Sequence, residues 1–239
     1  MPRAVIIGAS SGIGEELARV MAADGWELGI AARRKDRLDE LAASLGGRVE
    51  VAGLDVAQPI TAMAALDAFL ESLGPVDVVV VNAGIGIPNF KLGWEPEAAT
   101  IDVNVTGFAA MTNVAVRYFE KQGKGHLVGI SSVAALRGGY GAPAYSASKA
   151  FVSNYLEAVR VQAHKRKLNL AVTDVRPGYV HTAMTEGQKG MFWVADVAVA
   201  ARQILSAIKG RRKCVYVTRR WGLVAAVLRV VPDVLFRKF

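Results

Sequence analysis

The feature that most constrains this chain is a repeated alternation. Short apolar runs of strand length are followed, again and again, by stretches with apolar residues at helical spacing. Residues 4–7, 27–32, 48–54, 76–81, 126–131, 168–175 and 213–218 are predicted strands. Residues 15–23, 35–45, 61–73, 97–122, 145–165 and 194–208 are predicted helices. Strands as apolar as 4–7 and 76–81 are buried on both faces. Helices between such strands, joined by right-handed crossovers, build an α/β fold with a doubly wound parallel sheet in a single domain. Residues 1–208 would form its body, and residues 209–239 an appendage that completes the sheet and then leaves it.

Composition narrows the function classes. The chain has 239 residues, 52% hydrophobic and 21% charged, which suits one sizeable core and excludes a disordered chain. The lone cysteine, Cys214, excludes an internal disulfide and a multi-cysteine zinc site, so a reducing, cytoplasmic setting is expected. Three scattered histidines, His126 on a predicted strand edge, His164 and His181, offer no metal constellation. No secretory leader is expected from the first residues, and no uncharged apolar run reaches the ~18 residues of a spanning helix.

The net charge of +8 is localised. Residues 209–239 hold nine basic residues and one acid, Asp233, and so carry all of it. A neutral body with a basic end gives no ground for a nucleic-acid partner. Residues 221–239 mix this charge with Trp221, Leu223, Val227, Leu235, Phe236 and Phe239, and Pro232 divides them into two predicted short helices. Two readings of residues 219–239 stay open: a segment lying in an anionic membrane interface, or an arm packed on a partner subunit.

Gly8-Ala9-Ser10-Ser11-Gly12-Ile13-Gly14 joins the first strand to the first helix. Glycines there let the backbone approach a pyrophosphate, with the helix N-terminus facing the phosphates. The second strand ends in Ala32-Arg33-Arg34, with no acid to hold a free ribose 2′-hydroxyl. Guanidinium groups suit a 2′-phosphate instead, which points to NADP(H), with Arg33 the first candidate and Arg34 the second. Tyr145 and Lys149 stand four apart on one helical face. An ammonium beside a phenol favours the phenolate and would lower its pKa toward the range of a general acid/base. Ser132, at a strand end, can donate to a substrate carbonyl.

These features together resemble the short-chain dehydrogenase/reductase family. Gly8 to Gly14, Asp55-Val56, Asn82-Ala83-Gly84, Asn104, Ser132, Tyr145-x3-Lys149, and Pro177-Gly178 followed by Thr182 occur in that family's order across residues 4–208. The resemblance implies a Rossmann-type sheet and an NADP(H)-dependent oxidoreductase. Tyr145 would be the acid or base, Lys149 its partner and a hold on the nicotinamide ribose, and Ser132 the orienter of the substrate oxygen. Asn104 would hold a relay water. Asp55 and Val56 would meet the adenine, Asn82, Ala83 and Gly84 the adenosine ribose, and Pro177, Gly178, Val180 and Thr182 the nicotinamide. A homodimer or homotetramer is implied as well. Ile7 stands where the family often has threonine.

Met184, Met191, Phe192 and Trp193 would form an apolar lid over a hydrophobic carbonyl or secondary alcohol substrate, or else Met191 to Trp193 anchor the next helix. An alternative function on the same fold is a non-catalytic NADP(H)-binding sensor or membrane-associated scaffold.

Overall fold

The computed structural model describes residues 1–187 and 190–236. Gln188 and Lys189 of the expected lid, and Arg237, Lys238 and Phe239 of the expected tail, lie outside the described residues.

The first crossover sets the pattern. Strand β1 (Arg3–Ile7) leads through the glycine turn into helix α1 (Gly12–Ala23), and β2 (Glu27–Ala32) pairs parallel to β1. Helix α2 (Lys35–Ser44), β3 (Val49–Gly53), α3 (Pro59–Leu73) and β4 (Val78–Val81) complete one half. The second half runs α4 (Trp94–Ile101), α5 (Phe108–Gln122), β5 (Gly125–Ile130), α6 (Pro143–Lys165), β6 (Leu170–Pro177), α7 (Val197–Lys209) and β7 (Cys214–Val217). Helices α8 (Trp221–Val230) and α9 (Asp233–Phe236) follow, with Pro232 between them. The seven strands form one parallel sheet in the order β3-β2-β1-β4-β5-β6-β7.

Neighbouring residues of a strand serve opposite faces. Ala4 and Ile6 of β1 pack on Leu17 and Met21 of α1 and Ile204 of α7, whereas Val5 and Ile7 pack on Leu66 and Leu70 of α3 and Met111 of α5. Full burial of one such leucine or isoleucine contributes about 1.5–3 kcal/mol, and both layers depend on it. Local signals set the helix ends. Asp196 caps α7 by accepting from Ala198 N (2.8 Å) and Val199 N (3.3 Å). Pro59 and Pro143 open α3 and α6, where a missing N–H costs nothing.

Two expectations need correction. The predicted helix over residues 97–122 is interrupted: a π-turn over Asp102–Gly107 separates α4 from α5. The widened turn carries Asn104 inward, where its amide finds backbone partners that a regular helix would not present to it. His126 does not sit on a sheet edge. It lies in β5, between β4 and β6, 2% exposed, with its Nε2 2.8 Å from Thr173 Oγ1. Burial, with Arg211 nearby, pulls its pKa down to about 4. No helix among the described residues is long and apolar enough to cross a membrane. No cluster of three metal-ligating side chains occurs among them either.

Candidate active site

The strand order reverses between β1 and β4, so the loops after β1 and β4 part there and leave a crevice at the carboxyl ends of the strands. A cavity of about 330 Å³ occupies it. Its walls include Gly8, Ser10, Ser11, Gly12, Ile13, Arg33, Arg34, Asp55, Val56, Asn82, Ala83 and Gly84 at one end. At the other end they include Ser132, Tyr145, Lys149, Pro177, Gly178, Val180, Thr182 and Met184. The fold thus brings together residues that the sequence scatters over 170 positions or more.

The phosphate end is a backbone cradle. Gly8 has φ +90, and a Cβ there would lie 2.6 Å from Ala83 N, so a side chain is excluded on both counts. Asn82 Nδ2 donates to the Gly8 carbonyl at 2.7 Å and ties the two parting loops together. Gly14 packs directly under that carbonyl and does not line the cavity. Arg34 Nη2 donates to Ser10 Oγ (3.0 Å) and Ser11 Oγ (2.9 Å), so the end of β2 is braced against the turn. The Arg33 side chain is 74% exposed, with Nη1 4.0 Å from Asp55 Oδ2. The bare backbone at Gly8, the amide end of α1 and the two guanidinium groups suit a dinucleotide that carries an extra phosphate.

The other end holds the chemistry. Ser132 follows β5 in extended conformation, and its Oγ donates to the Pro177 carbonyl at 3.3 Å. Tyr145 lies in the first turn of α6. Lys149 is buried one turn on, its Nζ donating to the Ile130 carbonyl at 3.0 Å and lying 5.7 Å from the Tyr145 ring centroid. Spacing alone predicts a phenol made more acidic by the ammonium, and the structure corrects this. Desolvation pushes the Tyr145 phenol above its usual range, a hydrogen bond with Ser132 pulls it back in part, and Tyr179 adds to the rise. Burial pulls Lys149 down to about 8, opposed by the Asp174 carboxylate.

Asn104 does not line the cavity. It is 1% exposed, its Oδ1 accepts from Ile85 N (2.8 Å), and its Nδ2 donates to Ile85 O (2.8 Å) and Ser148 Oγ (3.0 Å). It therefore latches the loop after β4 onto α6. Met191, Phe192 and Trp193 also stand outside the cavity lining. Phe192 packs on Trp221 of α8 (ring centroids 5.0 Å) and on Tyr179 (6.1 Å), and Trp193 on Phe192 (5.7 Å). His181 faces solvent.

Sequence reasoning passed over several contributors. Ile85 and Ser148 are the partners of Asn104, and Ser148, inside the Tyr145-x3-Lys149 spacing, was open to discovery there. Ser131 donates to Asp174, which is 2% exposed and ion-paired to Arg176 at 2.7 Å. Trp221 covers Gly178 so closely that a Cβ would lie 2.0 Å from the indole. No sequence pattern announced that contact, because its partners are 43 residues apart.

Comparison with known proteins decides the family. The family model for short chain dehydrogenase matches residues 2–191. An uncharacterised oxidoreductase of Mycobacterium tuberculosis is 35% identical over 248 aligned residues, covering 98% of this chain and 96% of its own. The chain belongs to the short-chain dehydrogenase family.

Short-chain dehydrogenases are oxidoreductases that use a nicotinamide cofactor, and solved structures agree with the fold. An alcohol dehydrogenase from the archaeon Thermococcus sibiricus, complexed with 5-hydroxy-NADP, superposes with a TM-score of 0.81 at 27% identity, covering 90% of this chain and 95% of that one. A short-chain dehydrogenase/reductase from Burkholderia phymatum, in complex with NAD, shares the fold with a TM-score of 0.83 at 24% identity, covering 95% and 92%.

Proposed function

We propose that this short-chain dehydrogenase is NADP(H)-dependent and interconverts a hydrophobic carbonyl compound and its alcohol, with Tyr145 as general acid/base. The observation that carries this reading is that Ser132, Tyr145 and Lys149 line the same cavity as the glycine cradle. Arg33 and Arg34 would take the 2′-phosphate, since Ala32 leaves no acid to compete for it. The NADP-type ligand of the archaeal alcohol dehydrogenase supports that choice. The turn from Gly8 to Gly14 would receive the pyrophosphate, Asp55 and Val56 the adenine, and Asn82, Ala83 and Gly84 its ribose. Lys149 would hold the second ribose, and Pro177, Gly178, Val180 and Thr182 the nicotinamide.

When bound, the cofactor supplies or accepts a hydride at the substrate carbon. The protein handles the oxygen. Ser132 orients it and Tyr145 gives it a proton as the carbonyl becomes an alcohol, or takes the proton in reverse. A phenol whose pKa is raised by burial is fully protonated at neutral pH, as a proton donor must be. The loop after β4 closes on the Tyr145 ring at Gly86, where a Cβ would lie 3.2 Å from that ring and 3.5 Å from Met184 Sδ. That closure favours an apolar substrate. Residues 1–208 would carry cofactor and chemistry, with Trp221 of α8 packed on Gly178 beside them.

NADPH consumption over aldehydes and ketones of graded polarity tests this. Tyr145→Phe should lower turnover about 10²–10⁴-fold with NADPH binding retained. Unchanged turnover in that variant overturns Tyr145 as the proton donor, and a preference for small charged substrates overturns the apolar class.

A further inference from the structure

Four segments contact one another in turn beside the Tyr145 end of the cavity. The loop after β4 touches Tyr145 and Met184 through Gly86. That loop joins the segment before α6, where Asn89 N donates to the Gly141 carbonyl at 2.7 Å and the Phe90 and Tyr140 rings lie 5.5 Å apart. This second segment joins the C-terminal helices: Arg137 donates to the Val231 carbonyl at 3.0 Å and stacks 4.4 Å from the Phe236 ring. The C-terminal helices join the segment after Thr182, where Trp221 meets Phe192 and the Arg220 guanidinium lies 5.4 Å from the Trp193 ring. Met184, earlier on that segment, lines the cavity.

Each of these segments exposes large apolar side chains. Phe90 is 63% exposed, Tyr140 86% and Trp193 42%. On α8, Trp221 and Ala225 are buried against the body, while Leu223 (70%), Val227 (56%) and Val230 (77%) form an outward stripe at helical spacing. Exposed apolar surface gathered at one place and rimmed by charge marks an interaction site. The basic charge lies on and beside α8. Arg219, Arg220 and Arg229 flank the stripe, α8 contains no acid, and Asp233 of α9 is ion-paired with Arg137. Exposed acids stand on two of the other segments, Glu95 after β4 near Lys91 and Glu186 after Thr182.

An apolar stripe among arginines, on a helix too short to span a bilayer, matches the chemistry of an anionic lipid surface, with apolar groups in the acyl boundary and guanidinium groups among the phosphates. We propose that the rim around the Tyr145 entrance, led by the α8 stripe, docks this protein on an anionic membrane surface with the cavity mouth beside the bilayer. A lipophilic substrate would then reach Tyr145 without crossing open water. The docking itself does not depend on the assignment of Tyr145, because it concerns only the outer rim.

Vesicle co-sedimentation of the full chain tests the surface separately from activity. Binding is expected to phosphatidylcholine vesicles containing phosphatidylglycerol, weakly to phosphatidylcholine alone, and to fall as salt is raised. The triple variant Leu223→Asn, Val227→Asn, Val230→Asn, altered only at exposed positions, should bind about tenfold more weakly or worse. Tyr140→Ser, on a different segment, should also weaken binding. Equal binding to neutral and anionic vesicles, or binding untouched by both variants, overturns the proposal. So does a wild-type dimer in sedimentation equilibrium that the triple variant converts to monomer without change in vesicle binding, since the stripe would then be a subunit interface.

Discussion

Lys149 Nζ donates to the carbonyl of Ile130 at 3.0 Å, so the buried ammonium is anchored on the end of β5 and not on the phenol one turn away. The sheet therefore holds the amine in place beside the cavity, while burial favours the protonated form of Tyr145. Burial brings Lys149 to about 8, so it is a cation below that pH and increasingly neutral above it. NADPH affinity of the free protein should decline as pH rises through about 8. Lys149→Met should bind more weakly at neutral pH and lose that decline. Fluorescence titration across the range checks both, and an alkaline decline that persists in Lys149→Met would place its origin elsewhere.

The two arginines after β2 should separate by cofactor. Arg33 is largely exposed near Asp55, whereas Arg34 also braces Ser10 and Ser11. Arg33→Ala should weaken NADPH about tenfold and leave NADH unchanged, as expected for one lost charge-assisted contact. Arg34→Ala should weaken both, because the phosphate turn loses its brace. Dissociation constants for both nucleotides decide the matter.

Gly178 and Trp221 should behave as one unit. Gly178→Ala would drive its Cβ to 2.0 Å from the indole, an overpacking worth about 1–3 kcal/mol of destabilisation. In a Trp221→Ala background the same change should cost much less, so the two effects should not add. Urea unfolding of the two single variants and the double variant measures the coupling. Strict additivity would mean that the loop relaxes away from the helix.

His126 should make folding sensitive to mild acid. Its folded pKa of about 4 lies below the ordinary 6.5, so between these values the unfolded chain binds a proton that the folded chain does not. Stability is then full above pH 6.5 and falls by about 3 kcal/mol as pH drops to 4. His126→Asn should flatten this stretch of the urea midpoint against pH, whereas an unchanged slope would assign it to carboxylates.

The alternation of strands and helices, the glycine turn and the Tyr145-x3-Lys149 pair were legible because each is a local pattern. Period, turn chemistry and a spacing of four positions follow from neighbours along the chain. The parallel sheet and the family follow from such patterns in order. What a local pattern cannot carry is the environment of a group. Tyr145 and Lys149 have the spacing of a charge-stabilised phenolate, yet desolvation raises the one and lowers the other. That balance depends on Ser132, Tyr179 and Asp174, brought close only by the folded sheet.

The long helix over residues 97–122 was predicted unbroken for the same reason. Its apolar spacing is helical throughout, and only the distant Ile85 and Ser148 give Asn104 cause to sit in a widened turn. His126 carries no sequence mark of a central strand, and its burial comes from β4 and β6 on either side.

By itself the sequence determined the order of elements, the bare backbone of the phosphate turn and the residue types offered to the chemistry, all set by short-range sterics and hydrophobic period. The tertiary structure alone decided which of those side chains share a cavity, which protons they hold, and that Trp221 of α8 packs on Gly178. Electrostatics and packing act through space, and the contacts that govern them join residues far apart in the chain.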